Sequence, residues 1–198
     1  MFFYDILVYS KNITEHIQHL KEVLQTLHMH SLFAKISKCY FVVSEVEYLG
    51  HIINAQGVYT DSNKVVAMVS WLLPRTLKQL RGFLGLARYY RRFFRGYGII
   101  AKPLTDMLKK DNFIWCERVE QAFHDLKKRM SCTPVLALPD FSKVFVVEVD
   151  AFGQGVGAVL MQDHHPIAFI SRIFNLQQQA YSTYEKELVG VVFVVQKW

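Results

Sequence analysis

Residues 144–160 read VFVVEVDAFGQGVGAVL, and this stretch contains the clearest structural signal of the chain. The apolar, β-branched residues from Val144 to Val149 are typical of a strand, and Asp150 ends it. A glycine-rich turn then leads into a second strand from Gly157 to Met161. The pattern predicts a β-hairpin that carries a carboxylate where its first strand ends.

A second carboxylate follows at the start of a helical pattern. Glu187 opens the apolar segment Glu187–Val192, which indicates a buried helix within a helical region from about Ser182 to the end. An Asp at a strand end that faces a Glu on a helix can hold a divalent metal against a phosphate. We therefore predict Asp150 and Glu187 as catalytic metal ligands, with Mg²⁺ as the cofactor.

Two further acids lie near this pair. Glu148 precedes Asp150 by two residues and so points to the same face of the strand. It is a substitute ligand or, as we favour, a solvated surface acid. Glu185 lies two positions before Glu187, on a different face of the helix, and we expect it to be exposed.

Positive charge is concentrated in residues 75–110. This segment contains ten Lys and Arg and only one acid, Asp106, whereas the whole chain has a net charge of +6. A single basic block of this kind is typical of a surface that binds a polyanion. The alternative is a solvated helix face without a partner.

The basic segment predicts an amphipathic helix. Thr76 and Gln79 form a capping-box pattern, and we expect the helix to run from there through Phe94. Helical spacing groups an apolar side and, next to it, a basic side. The apolar side comprises Leu80, Phe83, Ala87, Tyr90 and Phe94, and the basic side comprises Arg81, Arg88, Arg92 and Arg95.

Three further residues complete the predicted nucleic-acid surface. Gly82 and Gly85 lie beside the basic side, where glycine weakens a helix, so either a phosphate or another helix approaches the backbone there. Tyr89 is our candidate for stacking against a base or tracking the backbone, because Tyr90 falls on the apolar side.

The other segments predict alternating sheet and helix. We expect a helix capped by Asn12 and Glu15 whose stripe at Ile17, Leu20, Val23, Leu24 and Leu27 is buried. Strands are predicted at Phe2–Tyr9, Lys38–Val43, Val46–Ile53 and Pro166–Ser171, with a turn at Ala55–Gly57. Further helices are predicted at Asp61–Trp71, Ile99–Lys110 and Glu120–Met130.

Composition excludes several classes of protein. Three cysteines without paired spacing indicate neither a disulfide framework nor a zinc site. The N-terminal residues lack the pattern of a signal peptide, and no apolar run has membrane-spanning length. We therefore expect an intracellular protein, cytoplasmic or nuclear, that is not secreted and has no membrane partner.

Many short motifs occur in an order that resembles one family. They are DILVYS at 5–10, YLGH at 48–51, FLGL at 83–86, YYRRF at 89–93, AKPLT at 101–105, PVLALPD at 134–140 and EKEL at 185–188. With Asp150-Ala151 and Gly157–Leu160, they resemble the reverse transcriptase and ribonuclease H region of a gypsy-type long-terminal-repeat retrotransposon Pol polyprotein. The resemblance covers essentially all 198 residues.

The resemblance implies an α+β fold in four parts. Residues 1–60 resemble the C-terminal part of the polymerase palm, 61–110 a helical thumb, 111–140 the connection, and 141–198 the N-terminal half of a ribonuclease H-like sheet with a helix. In intact relatives the implied activities are RNA-directed DNA synthesis and cleavage of the RNA strand of an RNA–DNA hybrid. The implied partner is this hybrid or another DNA or RNA duplex.

The chain departs from the family pattern at both metal sites. The family's Asp pair falls on Tyr4 and Asp5, and a phenol that stays protonated at neutral pH is a poor Mg²⁺ ligand. Asp5 alone cannot assemble two-metal catalysis, so we expect no polymerase activity. The later ribonuclease H carboxylates would lie past Trp198, so weak Mg²⁺ binding is expected unless missing polyprotein segments or a partner chain supply them.

Three functional hypotheses remain open. The chain is a catalytically impaired fragment of the polymerase and nuclease, a non-catalytic nucleic-acid-binding relic, or the unstable product of a pseudogene. One more pair, His16 and His19, has the spacing of metal ligands but lacks a third partner in the sequence. We favour a polar helix face for these two histidines.

Overall fold

A computed structural model describes residues 5–198, apart from the side chain of Phe152. About 44% of the chain is helical and 19% is strand, so the predicted α+β class is confirmed. The chain divides into two compact units, the first ending at Ala55 and the second running from Gln56 to Trp198. In the described residues no helix has the length and apolar character needed to cross a membrane.

The first unit contains one long helix and one hairpin. Helix α1 spans Ile13–Met29, and a 3₁₀ helix spans Ile36–Lys38. Strands β1 (Glu45–Tyr48) and β2 (His51–Asn54) pair antiparallel. The turn between them is Leu49-Gly50, and both residues have positive φ, 48° and 66°, as hairpins of this length require.

Three strand predictions in this unit are wrong in whole or in part. Residues 5–10 have no regular structure, and residues 2–4 of the predicted Phe2–Tyr9 strand lie outside the described residues. The predicted strand Lys38–Val43 is absent, because a 3₁₀ helix ends at Lys38 and Val42 has a φ of 52°, which no strand contains. The single strand predicted over Val46–Ile53 is two strands, since the Leu49-Gly50 turn interrupts it.

The cap of α1 is confirmed, but its predicted burial is wrong. The Asn12 side chain accepts a hydrogen bond from the backbone N–H of Glu15 at 2.9 Å. No side chain of α1 is buried, and Ile17 and Leu24 are 61% and 48% exposed. An amphipathic helix buries its apolar stripe only where another element covers it, and the described part of this unit provides none.

The second unit contains seven α-helices, one 3₁₀ helix and four strands in its described residues. Its elements are β3 (Gly57–Thr60), α2 (Ser62–Val69), α3 (Leu77–Tyr89), a 3₁₀ helix (Arg91–Phe93), α4 (Tyr97–Ile100), α5 (Lys102–Asp106), α6 (Glu117–Ser131), β4 (Val146–Phe152), β5 (Gly155–Gln162), β6 (His165–Ile173), α7 (Leu176–Gln179) and α8 (Thr183–Val195). Predicted caps at Asp61 and Thr76 are present, and Ser182 caps α8. These caps satisfy backbone donors at the helix starts.

Helices α2, α3, α5 and α6 enclose the main core of this unit. The predicted apolar side of α3 is fully buried, with Phe83 at its centre. The Phe83 ring lies 4.5 Å from that of Phe123 on α6 and 6.0 Å from that of Trp71. The predicted apolar side of α6 is also buried and comprises Ala122, Phe123, Leu126 and Met130.

Strands β4, β5 and β6 form an antiparallel sheet in that order, with β4 at one edge. Helix α8 covers one face of it through Gly190. A Cβ built on Gly190 would lie 2.9 Å from Val156 Cγ2 and 3.2 Å from Val149 Cγ1. Val194 is also buried, whereas Leu188 is 65% exposed, so α8 is covered on one side only and less than predicted.

Gly190→Ala is therefore expected to lower the free energy of unfolding by about 1–3 kcal/mol, because the added methyl overpacks this contact. Chemical denaturation followed by circular dichroism measures the change. An unchanged or raised midpoint would show that α8 moves off the sheet at no cost.

Candidate metal and nucleic-acid sites

The two predicted nuclease carboxylates lie on neighbouring elements. Asp150 is exposed near the end of β4, and Glu187 is exposed near the start of α8. The two elements pack together at Gly190, where a built Cβ would lie 3.2 Å from Val149 Cγ1 and 3.5 Å from Ala151 Cβ. Glu187 therefore lies about one helical turn before this contact, and Asp150 lies between its two strand partners.

Strand geometry determines the direction of the Asp150 side chain. Successive residues of a strand point to opposite faces, and α8 covers the face that carries Val149 and Ala151. Asp150 therefore projects from the other face, beside its cross-strand partner Gly157. A metal shared by Asp150 and Glu187 would have to lie around the β4 edge, and their convergence on one ion stays a prediction.

No third ligand joins this pair within residues 5–198. No group of three or more His, Cys, Asp or Glu residues that could hold a metal occurs there. Carboxylate oxygens suit Mg²⁺, but this ion completes its shell with water and substrate phosphates when proteins offer few ligands. The residues present thus fit a weak Mg²⁺ site that depends on bound nucleic acid.

The two neighbouring acids have separate positions. Glu148 is exposed on the same strand face as Asp150, two residues away, as expected. Glu185 is exposed and completes the cap of α8, since its carboxylate accepts hydrogen bonds from the Ser182 backbone N–H and hydroxyl, both at 2.8 Å. These bonds lower the pKa of Glu185. Glu185 is thus engaged at the helix start.

The predicted polymerase residue Asp5 is exposed and lies in irregular structure. Its backbone carbonyl accepts a hydrogen bond from the Tyr48 hydroxyl at 3.4 Å. Tyr4, on which the expected loss of activity rests, lies outside the described residues. The structure thus leaves the polymerase prediction as it stood.

The predicted basic residues do not lie on one helix. Helix α3 ends at Tyr89, so the helix predicted through Phe94 is too long. Arg92 falls in the following 3₁₀ helix, and Arg95 follows it. The chain leaves the α-helical path at Tyr90, and Phe94 is extended with φ −143° and ψ 141°, although a continuous helix would also place Tyr90, Phe93 and Phe94 on one buried face.

The arginines remain available to a ligand. Five exposed arginines of this region form no ion pair or hydrogen bond with any residue of the described chain: Arg81, Arg88, Arg91, Arg92 and Arg95. By contrast, Asp106 pairs with Lys102 and, at 2.7 Å, with Lys109. The one acid of the segment therefore neutralises lysines and leaves the arginine charge intact. We call these five residues the arginine surface.

Arg91 belongs to the arginine surface, although the predicted basic side did not include it. Burial raises the pKa of Tyr97, and the positive charges of Arg88 and Arg91 oppose this rise. Both guanidinium groups therefore act on the same tyrosine hydroxyl. The pattern YYRRF, with two aromatic residues followed by two arginines, was the signal available for Arg91.

The two tyrosines differ in exposure, and the two glycines differ in their surroundings. Tyr90 is 1% exposed, whereas Tyr89 is 51% exposed and meets the Tyr90 ring edge-on at 5.1 Å. A Cβ on Gly82 would make an ordinary 3.4 Å contact with Trp71, so that glycine packs against an aromatic ring. A Cβ on Gly85 would meet nothing within 4 Å. The backbone at Gly85 is therefore open to a ligand.

Gly85→Ala is expected to raise the free energy of unfolding by about 0.5–1 kcal/mol, because alanine favours an exposed helix position over glycine. Urea denaturation measures this gain, with Gly190→Ala as a matched substitution of opposite sign. A fall in stability would mean that the space over Gly85 is occupied.

Comparison with known proteins gives the family of this chain. The family described as "RNase H-like domain found in reverse transcriptase" matches residues 115–198. The family described as "Reverse transcriptase (RNA-dependent DNA polymerase)" matches residues 1–53. The Pol polyprotein from transposon 297 of Drosophila melanogaster is 42% identical over 191 residues, 96% of this chain and 18% of the relative.

The chain belongs to the reverse transcriptase and ribonuclease H region of transposon Pol polyproteins. The Pol polyprotein from transposon gypsy of Drosophila melanogaster is 35% identical over 206 residues, which cover 98% of this chain and 20% of the relative. This Pol region thus spans about a fifth of the length of these relatives. The resemblance inferred from the sequence motifs is confirmed.

A solved structure shows the fold of this Pol region. The foamy viral protease-reverse transcriptase in complex with RNA/DNA hybrid has a TM-score of 0.82 at 23% identity and covers 96% of this chain and 26% of that chain. At this level of identity, the likeness establishes the fold alone.

Proposed function

We propose that this Pol region binds the backbone of an RNA–DNA hybrid through the arginine surface. The observation that supports this function best is the exposure of five arginines without an ion-pair partner in the described chain. Guanidinium groups bind phosphate oxygens through paired hydrogen bonds, and an uncompensated cluster of them attracts a polyanion. The foamy viral neighbour is itself a hybrid complex, which supports the same class of partner.

The remaining features of this surface suit a duplex. Tyr89 exposes an aromatic ring next to the arginines, and Gly85 leaves the helix backbone open on the same stretch of α3. A phosphate or sugar edge can approach the backbone at Gly85 more closely than at any residue with a side chain. Binding through several phosphates releases counterions, so affinity should fall steeply as salt rises.

We further propose that Asp150 and Glu187 hold Mg²⁺ against the RNA strand for hydrolysis. The ion would lower the pKa of its bound water and stabilise charge on the phosphate. Asp150 and Glu187 supply carboxylate oxygens, and the remaining ligands come from phosphate, water and other segments of the polyprotein or a partner chain. Because only two protein carboxylates are available here, cleavage by this region alone is expected to be slow.

The test is incubation of the full chain with an RNA–DNA hybrid and Mg²⁺, with Asp150→Asn as the variant. Asp150→Asn is expected to remove all cleavage and to retain hybrid, because Asn keeps the shape but loses the charge that binds the metal. Glu148→Gln, on the same strand face, is the matched control and should cleave like the unaltered chain. Cleavage that survives Asp150→Asn would contradict the assigned role.

A second candidate is a non-catalytic hybrid-binding module. The projection of Asp150 away from α8 favours it, because the two carboxylates then do not converge without rearrangement. This module would retain hybrid in a salt-dependent way and release no RNA fragments under any Mg²⁺ concentration. No DNA synthesis is expected from either candidate, because Tyr4 replaces one carboxylate of the polymerase pair.

We also propose an intracellular location for this activity. The three cysteines of the chain, Cys39, Cys116 and Cys132, are free thiols, which is typical of a reducing compartment. An RNA–DNA hybrid substrate is also formed inside cells.

A further inference from the structure

A cluster of three polar side chains lies at the start of α1, in the first compact unit. The Ser10 hydroxyl oxygen lies 2.8 Å from Nδ1 of His19 and 3.3 Å from Nδ1 of His16. His16 is half-buried and His19 is exposed, so solvent reaches the cluster from one side. The structure thus supplies the third partner that the sequence did not reveal for this histidine pair.

The distances match those between neighbouring ligands of one metal ion. A transition metal binds imidazole nitrogen at about 2.0–2.1 Å, so adjacent ligands in tetrahedral or octahedral shells are about 2.9–3.4 Å apart. The two nitrogen–oxygen separations of 2.8 and 3.3 Å differ from this range by at most about a tenth of an ångström. The Ser10 hydroxyl therefore lies at a ligand-to-ligand distance from each of two imidazole nitrogens.

We propose that Ser10, His16 and His19 form a binding site for a divalent transition-metal ion. The two Nδ1 atoms are the principal ligands, the Ser10 hydroxyl is a weaker third ligand, and water completes the shell from the exposed side. Imidazole nitrogen favours Cu²⁺, Ni²⁺ and Zn²⁺, and affinity rises toward Cu²⁺ in this series. Mg²⁺ requires oxygen ligands, so this site is chemically distinct from that of Asp150 and Glu187.

The local structure holds the ligands in place. His16 and His19 are three residues apart on α1 and therefore on one helix face. Asn12 caps the helix between Ser10 and His16, and its side chain also donates to the Glu15 carboxylate at 2.8 Å. This cap fixes the path of the chain from Ser10 into the helix, so the three ligand atoms are organised before a metal binds.

The site is tested on the full chain with Cu²⁺ and Zn²⁺ as probes. Titration calorimetry measures affinity, and electron paramagnetic resonance of the Cu²⁺ complex counts coordinated nitrogens. We expect one preferred ion per chain with two imidazole nitrogens. His16→Gln and His19→Gln should each lower affinity about tenfold or more and remove one nitrogen from the spectrum, while glutamine keeps a hydrogen bond to Ser10.

The control is a second histidine pair on the same helical region. His28→Ala with His30→Ala should leave the affinity and the spectrum unchanged, and Ser10→Ala should weaken binding less than loss of either histidine. Equal affinity in the His16 and His19 variants would overturn the site, as would loss of binding in the His28 and His30 control. Circular dichroism at the helix band confirms that each variant keeps α1.

Discussion

Reversing the charge of Arg88 and Arg92 together is expected to lower the affinity for an RNA–DNA hybrid about 100-fold or more near 0.1 M salt. Each arginine that binds a phosphate contributes about 1.5 kcal/mol or more, which is roughly a factor of ten in affinity. Both side chains are exposed and without an ion-pair partner in the described chain, so their replacement by Glu removes little of the fold. Filter retention at several salt concentrations measures the loss and the slope.

The matched control changes the net charge by the same amount elsewhere. Arg118→Glu with Lys128→Glu alters two exposed residues of α6 in the same compact unit. This control should change affinity only a few-fold, through the general field of the protein. If both double variants lose affinity equally, net charge rather than the arginine surface binds the hybrid. Unchanged retention in Arg88→Glu with Arg92→Glu would remove α3 from the interface.

Local rules predicted the second unit well. The predicted caps at Asp61 and Thr76 depend on side chains within three residues, and the structure contains both of them. The buried sides of α3 and α6 followed from helical periodicity, because a core lies against them. Where one element packs directly on another, sequence pattern and tertiary structure agree.

The incorrect predictions concern features that local sequence patterns do not determine. The stripe of α1 has the correct period, but burial depends on a covering element that periodicity does not contain. Helix α3 ends at Tyr89 although Tyr90, Phe93 and Phe94 keep the helical spacing of buried residues, so periodicity alone does not mark where the helix stops. Leu49 at positive φ has no signal of its own, since leucine rarely adopts that conformation.

The candidate sites could be predicted only in part. Residue types and motif order led to Asp150 and Glu187, and charge density led to most of the arginine surface. The relative direction of the two carboxylates follows only from knowing which face of β4 is covered by α8. The packing of Gly190 shows that face. Alternation along β4 places Glu148 and Asp150 on one face and Val147 and Val149 on the other. The alternation along β4 can be read from the sequence. The direction of Asp150 relative to α8, however, follows only from the position of α8 in the structure.

Phe83→Ala is expected to lower the free energy of unfolding of the second unit by about 3–5 kcal/mol. Phe83 is 0% exposed, and its ring contacts both Trp71 and Phe123, so its removal leaves a cavity between α3 and α6. Domains of this size have a total stability of about 5–15 kcal/mol, so the loss is a large share of it. Hybrid binding should fall with stability, because α3 carries part of the arginine surface next to its buried apolar side.

Thermal denaturation measures this change, with an expected fall in Tm of about 6–20 °C at the usual 2–4 °C per kcal/mol for this chain length. Phe141→Ala is the matched control, because it removes the same ring from a residue that is 81% exposed. Its effect should stay within about 0.5 kcal/mol. Equal loss in the two variants would show that the core formed by α2, α3, α5 and α6 is not the main source of stability. A stable Phe83→Ala variant that still binds hybrid would separate the arginine surface from the packing of α3.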